Sequence, residues 1–330
     1  MLTKHVELLS VRERQLHVER TARTLYQEYL SVSQAKRRWD PNLDFDWRAV
    51  RQDLPAGVAE LVTGFFAVEQ YVPDYTNRIT ELVRRSWGRS SFQLAWGGEE
   101  AKHSDLWGNV LLFGGVMDRR QLDEYTDNLR ASAWMAPWDT PLHMSIYTVF
   151  QERATQYIYA KTLRLIEASE NPDPVLMAAF RKIVTDEAAH FRFFSDVARL
   201  HLYYMPETTI KAIGDVVRYF VMPATDLYAN YAAFVDELTK HDIFSTRIYI
   251  REIMPTAMKK LGLSGLSAIK RGVERTKQTP NPDGTFATAD ILGNDFSVVE
   301  DSVRSLFERL TSYELRVGFA PENRIEFLNA

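Results

Sequence analysis

Two Glu-x-x-His steps, Glu100 to His103 and Glu187 to His190, are the parts of this 330-residue chain best suited to chemistry. Residues three apart on an α-helix lie on one face, a turn apart, so each step offers a carboxylate and an imidazole to the same metal. Carboxylate oxygens mixed with neutral imidazole nitrogens suit iron, manganese or zinc, and such a shell with an open position suits redox chemistry. A single step carries little weight, since a chain of this composition gives roughly half a match by chance. Two further acids add weight. Glu69 in Phe65-Phe-Ala-Val-Glu-Gln-Tyr and Glu152 in Tyr147-Thr-Val-Phe-Gln-Glu-Arg-Ala-Thr each lie in a mostly apolar run, where a buried charge is costly unless it is paired or bound to metal. The order Glu, Glu-x-x-His, Glu, Glu-x-x-His is that of a four-helix bundle holding two metals.

The elements that must position these residues all read as helices. Apolar residues at helical spacing run from about 5 to 38, and Trp39-Asp-Pro-Asn ends that run. A second long helix is expected from Pro55 towards Trp87, carrying Glu69 and kinked at Pro73. A third spans about 90 to 113 with Glu100 and His103, and a shorter one spans 118 to 132. After a loop from Pro137 to Pro141, the Glu152 helix reaches about Ser169. Asn171-Pro-Asp-Pro then caps the helix of Glu187 and His190, which runs towards Tyr204. Pro206 starts another helix, Pro223 interrupts an aromatic stretch after it, and Gln278 to Thr285 is an exposed turn. This predicts one all-α domain over 1–330, with a core over about 5–245 and a helical and loop elaboration over about 246–330.

Composition narrows the function classes. A net charge of −4 and a pI near 6.0 give no nucleic-acid signature. The absence of cysteine excludes disulfides, thiolate ligation and cysteine nucleophiles, and fits a reducing compartment. Charges from Lys4 to Arg23 replace the apolar core of a secretory signal, and no apolar run reaches membrane-spanning length. A cytoplasmic enzyme without integral membrane association is the expectation.

Glu99-Glu-Ala-Lys-His, Tyr147-Thr-Val-Phe-Gln-Glu-Arg-Ala-Thr and Asp186-Glu-Ala-Ala-His resemble the soluble acyl-ACP desaturases, a ferritin-like di-iron family, in its bacterial, actinobacterial form. Met117-Asp-Arg-Arg-Gln, Met222-Pro-Ala and the spacing of Glu69 and Pro73 extend the likeness over roughly residues 20 to 230. The resemblance implies a ferritin-like four-helix bundle with additional helices and two iron ions per chain, which manganese or zinc can replace in a purified sample. Glu69 and His103 would be terminal ligands of one iron, Glu152 and His190 of the other, and Glu100 and Glu187 would bridge. Asp186 matches an acid that hydrogen-bonds a ligand histidine, His103 in this chain. Trp39 matches a tryptophan beyond that acid, on an electron-entry side, and Thr155 a threonine associated with oxygen activation. Each of these three also has a plain reading: an exposed acid, a helix-end anchor and a hydroxyl bonded to a backbone carbonyl.

The same resemblance implies introduction of a cis double bond into an acyl chain carried as a thioester on an acyl carrier protein. Electrons would come from a ferredoxin-like donor, and the chain would act as a homodimer. Lys36, Arg37, Arg38, Arg84 and Arg85 would meet an acidic carrier. The substrate region departs from plant relatives. Met144 stands where they have a small glycine and would narrow or redirect a tunnel, and Arg78 and Glu81 place charge along the acyl path. Either the Glu69 helix is shifted beyond Pro73, or the substrate is not a simple saturated chain. A di-iron hydroxylase of a carrier-bound or small substrate stays open beside desaturation, as does a non-catalytic ferritin-like metal-binding protein.

Overall fold

The computed structural model describes residue 6 and residues 8–225 and 227–322, and every regular element among them is helical. Helix α1 (Val11–Val32) starts at a capping box in which Ser10 and Glu13 satisfy each other's backbone donors. It runs directly into one π-helical turn, Ser33–Arg37. The beginning of the run expected from about residue 5 lies largely outside the described residues.

The long helix expected from Pro55 towards Trp87 is two helices, α2 (Ala56–Glu69) and α3 (Val72–Val83). Pro73 therefore does not kink a continuous helix. It occupies the first turn of α3, where its missing N–H costs nothing, and the chain breaks at Gln70 and Tyr71 immediately after Glu69. Breaking here re-phases α3, so that Tyr75, Ile79 and Val83 turn inward at four-residue spacing. Arg78 and Glu81 turn outward, 3.8 Å apart with side chains 44% and 69% exposed. The charges expected along the acyl path are thus on the surface.

Helix α4 (Trp87–Phe113) carries the first Glu-x-x-His step and α5 (Arg119–Arg130) starts behind a capping box at Asp118. Helix α6 (Pro141–Glu167) carries Glu152, and α7 (Pro174–Tyr204) carries the second step. Both begin with Pro in the first turn behind a side-chain cap, Thr140 and Asp173 respectively. The four helices that carry the candidate ligands, α2, α4, α6 and α7, form the central bundle. Helix α1 lies across α4 and α7 on the outside.

Two glycines let helices approach closely. A Cβ on Gly88 would sit 2.4 Å from the backbone of Ala22, and one on Gly97 would sit 2.3 Å from Thr76 Oγ1. Thus the α4 backbone comes close to the α1 backbone at Gly88 and to the Thr76 side chain of α3 at Gly97. Beyond the bundle come α8 (Pro206–Tyr219), α9 (Tyr231–Lys240), α10 (Met254–Lys260), α11 (Leu266–Arg275), α12 (Thr288–Leu292) and α13 (Phe296–Arg316). Among them α8 packs on α6, α9 on α2, and α13 on α7 and α1. No described helix is long and apolar enough to cross a membrane.

Candidate metal centre

Each of the six acids and histidines singled out in the sequence faces the middle of the bundle, and none is more than 5% exposed. Glu69, Glu100, His103 and Glu187 form one group, and Glu100, Glu152, Glu187 and His190 a second. Within each group one ligand atom per residue lies within 4.8 Å of the others. Glu100 and Glu187 belong to both, so the two groups share two carboxylates.

The two imidazoles are presented alike. His103 Nδ1 lies 3.1 Å from Glu100 Oε2, and His190 Nδ1 lies 2.9 Å from Glu100 Oε1. Each Nε2 points outward to a carboxylate from the other histidine's helix. His103 Nε2 is 3.5 Å from Asp186 Oδ2, and His190 Nε2 is 3.0 Å from Glu99 Oε2. Such outer partners fix which ring nitrogen is free for a metal.

Around Asp186 the contacts continue outward. Trp39 Nε1 donates to Asp186 Oδ2 at 2.8 Å, and the Trp39 ring stacks on His103 with centroids 6.1 Å apart. Lys102 lies over the other part of this system, its Nζ 4.5 Å from the Trp39 ring centroid and 3.9 Å from Asp186. Around Glu99, Tyr29 donates at 2.6 Å and Ser33 Oγ also donates. Thr155 Oγ1 donates to Glu187 Oε2 at 2.8 Å as well as lying near the backbone carbonyls of Gln151 and Glu152. Tyr159 donates to Glu69 Oε1 at 2.7 Å and Trp96 Nε1 to Glu152 Oε1 at 3.0 Å.

Packing four carboxylates and two imidazoles into an apolar interior shifts their proton affinities. Burial, reinforced by the neighbouring Glu100 charge, pushes Glu69 up to about 8. Burial with Glu100 and Glu152 nearby drives Glu187 well above the carboxylate range, and burial also raises Glu152. Burial alone would depress an imidazole, but Glu100 and Asp186 hold His103 at about 10. The outer Glu99 would be raised by burial, yet the His190 contact and Arg37 keep it well below its ordinary value. Asp186 is likewise lowered, against burial, by His103.

This donor set fits metal ions. Glu152 Oε2 and His190 Nδ1 are buried and lack hydrogen-bond partners although they lie 3.5 Å apart. An orphaned acceptor and ring nitrogen of this kind are costly unless a cation sits between them. Oxygen and imidazole donors at this density match iron or manganese.

Sequence reasoning missed Glu99 as a partner of His190 and placed Arg37 on the surface. Lys36 and Arg38 are exposed, but the Arg37 side chain is 8% exposed and donates inward, to Asp186 Oδ1 at 2.8 Å and Glu99 Oε2 at 3.1 Å. Arg37 is therefore withdrawn from the basic surface expected to meet a carrier, because its π turn rotates it into the bundle. The missed acid left a signal: an acid precedes the ligand Glu in both steps, Glu99-Glu100 and Asp186-Glu187.

Beside the candidate ligands is a cavity lined by Glu69, Glu100, Glu187 and Thr155 together with Trp134, Met144 and Tyr147. Its free volume is about 20 Å³. That is room for a single water molecule. Met144 lines it, whereas Arg78 and Glu81 do not.

Residues 21–279 match the family model described as fatty acid desaturase. The chain belongs to that family. Curated relatives include acyl-[acyl-carrier-protein] desaturase 7, chloroplastic, of Oryza sativa subsp. indica, 28% identical over 62% of this chain and 55% of that protein. Palmitoyl-[acyl-carrier-protein] 4-desaturase of Coriandrum sativum is 28% identical over 59% and 52%. Stearoyl-[acyl-carrier-protein] 9-desaturase of Ricinus communis is 28% identical over 66% and 58%. The chain thus spans little more than half the length of these relatives. Among solved structures, DesA2 from Mycobacterium tuberculosis H37Rv superposes with a TM-score of 0.54 at 17% identity, covering 77% of this chain and 98% of that one. A variant of an R2-like ligand-binding oxidase with a reconstituted Mn/Fe cofactor gives 0.50 at 19% identity, covering 72% and 92%. Together these establish the ferritin-like fold.

Proposed function

We propose that this member of the fatty acid desaturase family is an oxygen-dependent acyl-[acyl-carrier-protein] desaturase, with Glu69, Glu100, His103, Glu152, Glu187 and His190 holding two irons. The buried double group sharing Glu100 and Glu187 carries the reading. Glu69 and His103 would hold one ion and Glu152 and His190 the other, with Glu100 and Glu187 available to both. The bound irons supply reduction of oxygen and removal of two hydrogens from adjacent methylenes.

The protein's own groups define the setting. Tyr159 and Trp96 fix Glu69 and Glu152 by one hydrogen bond each. Thr155 donates to Glu187 and lines the cavity, so that it orients this carboxylate beside the space open to a reactant. Trp39 and Asp186 form a bonded line from His103 outward, the route assigned to electrons from a ferredoxin-like donor. Exposed Lys36, Arg38, Arg84 and Arg85 offer charge to an acidic carrier. Met144 and Trp134 line the cavity that an acyl chain would have to occupy. A homodimer is the assembly proposed by likeness to the family.

The small cavity supports a second reading, oxygenation of a shorter carrier-bound substrate with the same ligands. One experiment separates the two. The iron-loaded protein is supplied with ferredoxin, reductase, oxygen and acyl-carrier proteins of graded chain length, and the products are weighed by mass spectrometry. Loss of two mass units marks desaturation and a gain of sixteen marks hydroxylation. Absence of either product in the presence of a full pair of irons rejects both.

A further inference from the structure

Arg37 touches neither the candidate ligands nor the cavity, yet it contacts the outer carboxylate partner of each histidine. We propose that Arg37 is a positioning residue that ties the two metal-facing histidines into one unit. The inference rests on the two-metal reading of the six ligands.

Its neighbours Lys36 and Arg38 point to solvent, so charge alone does not bring it inward. The π turn Ser33–Arg37 adds a residue to the last turn of α1 and so shifts the helical phase at its own end. Arg37 then lies against Glu99 and Asp186, with Ser33 of the same turn also donating to Glu99.

One nitrogen, Nη1, donates to both acids, at 2.8 Å to Asp186 Oδ1 and 3.1 Å to Glu99 Oε2. Asp186 faces His103 and Glu99 faces His190, so a single guanidinium holds the outer partner of each ring. An outer carboxylate that is not itself held leaves its ring free to turn the metal-facing nitrogen away. Arg37 fixes the position of both carboxylates at once, through the rigid planar fork of its guanidinium.

The consequence is a pattern across variants. Asp186→Asn disturbs only the ion held by His103, and Glu99→Gln only the ion held by His190. Arg37→Gln disturbs both, though it is remote from each. Mn²⁺ titration, with free Mn²⁺ followed by electron paramagnetic resonance, gives the two affinities per chain. Arg37→Gln should weaken both by about 10-fold or more, the range for loss of an outer partner. Arg37→Lys, which keeps the charge, should recover much of each. A role confined to folding would lower the melting temperature of the metal-free protein and leave both affinities alone.

Wild-type binding of two Mn²⁺ with Arg37→Gln weakened at one site or none would overturn the inference while leaving the metal reading intact. Failure of the wild type to bind a pair of ions would bring down both. If Arg37→Gln does not fold, Arg37→Lys decides: a smaller loss at both sites supports the inference, and a loss at one or none overturns it.

Discussion

Protons held by the buried candidate ligands would have to leave for a metal to bind, except at Glu100, which His103 and His190 hold down at about 2 against its burial. Glu69, held near 8 by burial and Glu100, and His103, held near 10 by Glu100 and Asp186, are both protonated at neutral pH in the metal-free protein. Metal loading should therefore expel protons and strengthen as pH rises from about 6 towards 10, because ligands bind deprotonated. Calorimetric titration in buffers of different protonation enthalpy measures this, and buffer-independent heats would contradict it. Both raised values also favour the metal-free fold at low pH. Their contribution is complete below the ordinary value of each group and is lost as pH rises from 4.5 to about 8 for Glu69 and from 6.5 to about 10 for His103, so the metal-free melting temperature should fall across that whole span. Glu152→Gln, which removes an anionic ligand from the group containing His190, should reduce tightly held metal from two ions per chain to about one by elemental analysis. At this scale the sequence was informative where chemistry is local. Ligands three residues apart announce themselves, but Arg37 lies 62 residues from Glu99 and 149 from Asp186, and no spacing rule reports such a contact.

Helix boundaries show the same division. Thr140-Pro141 and Asp173-Pro174 mark helix starts by local chemistry, and α6 and α7 begin there. The effect of Pro73 was not local. Whether proline kinks a helix or opens a new one depends on where the preceding carbonyls find partners, and after Glu69 the chain turns once before α3 starts. Close helix approach was equally hidden, since Gly88 reads as a weak helix former until α1 is placed against it. Gly88→Ala forces a methyl into the backbone of Ala22 and should cost about 1–3 kcal/mol, the range for overpacking. Thermal or denaturant unfolding of the metal-free protein tests this, and an unchanged midpoint would mean that α1 and α4 separate freely.

For the molecule as a whole, the all-α ferritin-like bundle follows from the order of its ligands, whereas the state of its cavity does not. Side-chain volume decides that, and Met144 is 1% exposed within a space of about 20 Å³. Met144→Gly should destabilise the free protein by about 2–5 kcal/mol, as for large-to-small changes in a core. Adding a long-chain fatty acid should then raise the melting temperature of the variant more than that of the wild type, because a ligand that fills the new space binds only the folded state. Equal shifts would place the acyl path elsewhere.

The π turn at Ser33–Arg37 also bears on how such a centre changes over descent. Deleting one residue from it would restore α-helical phase and swing Arg37 towards solvent, with every ligand codon untouched. Under the role proposed for Arg37, gain or loss of a single codon in a surface helix would be a route by which related chains strengthen or relax their hold on metal, and alignments that score substitutions alone would pass over it.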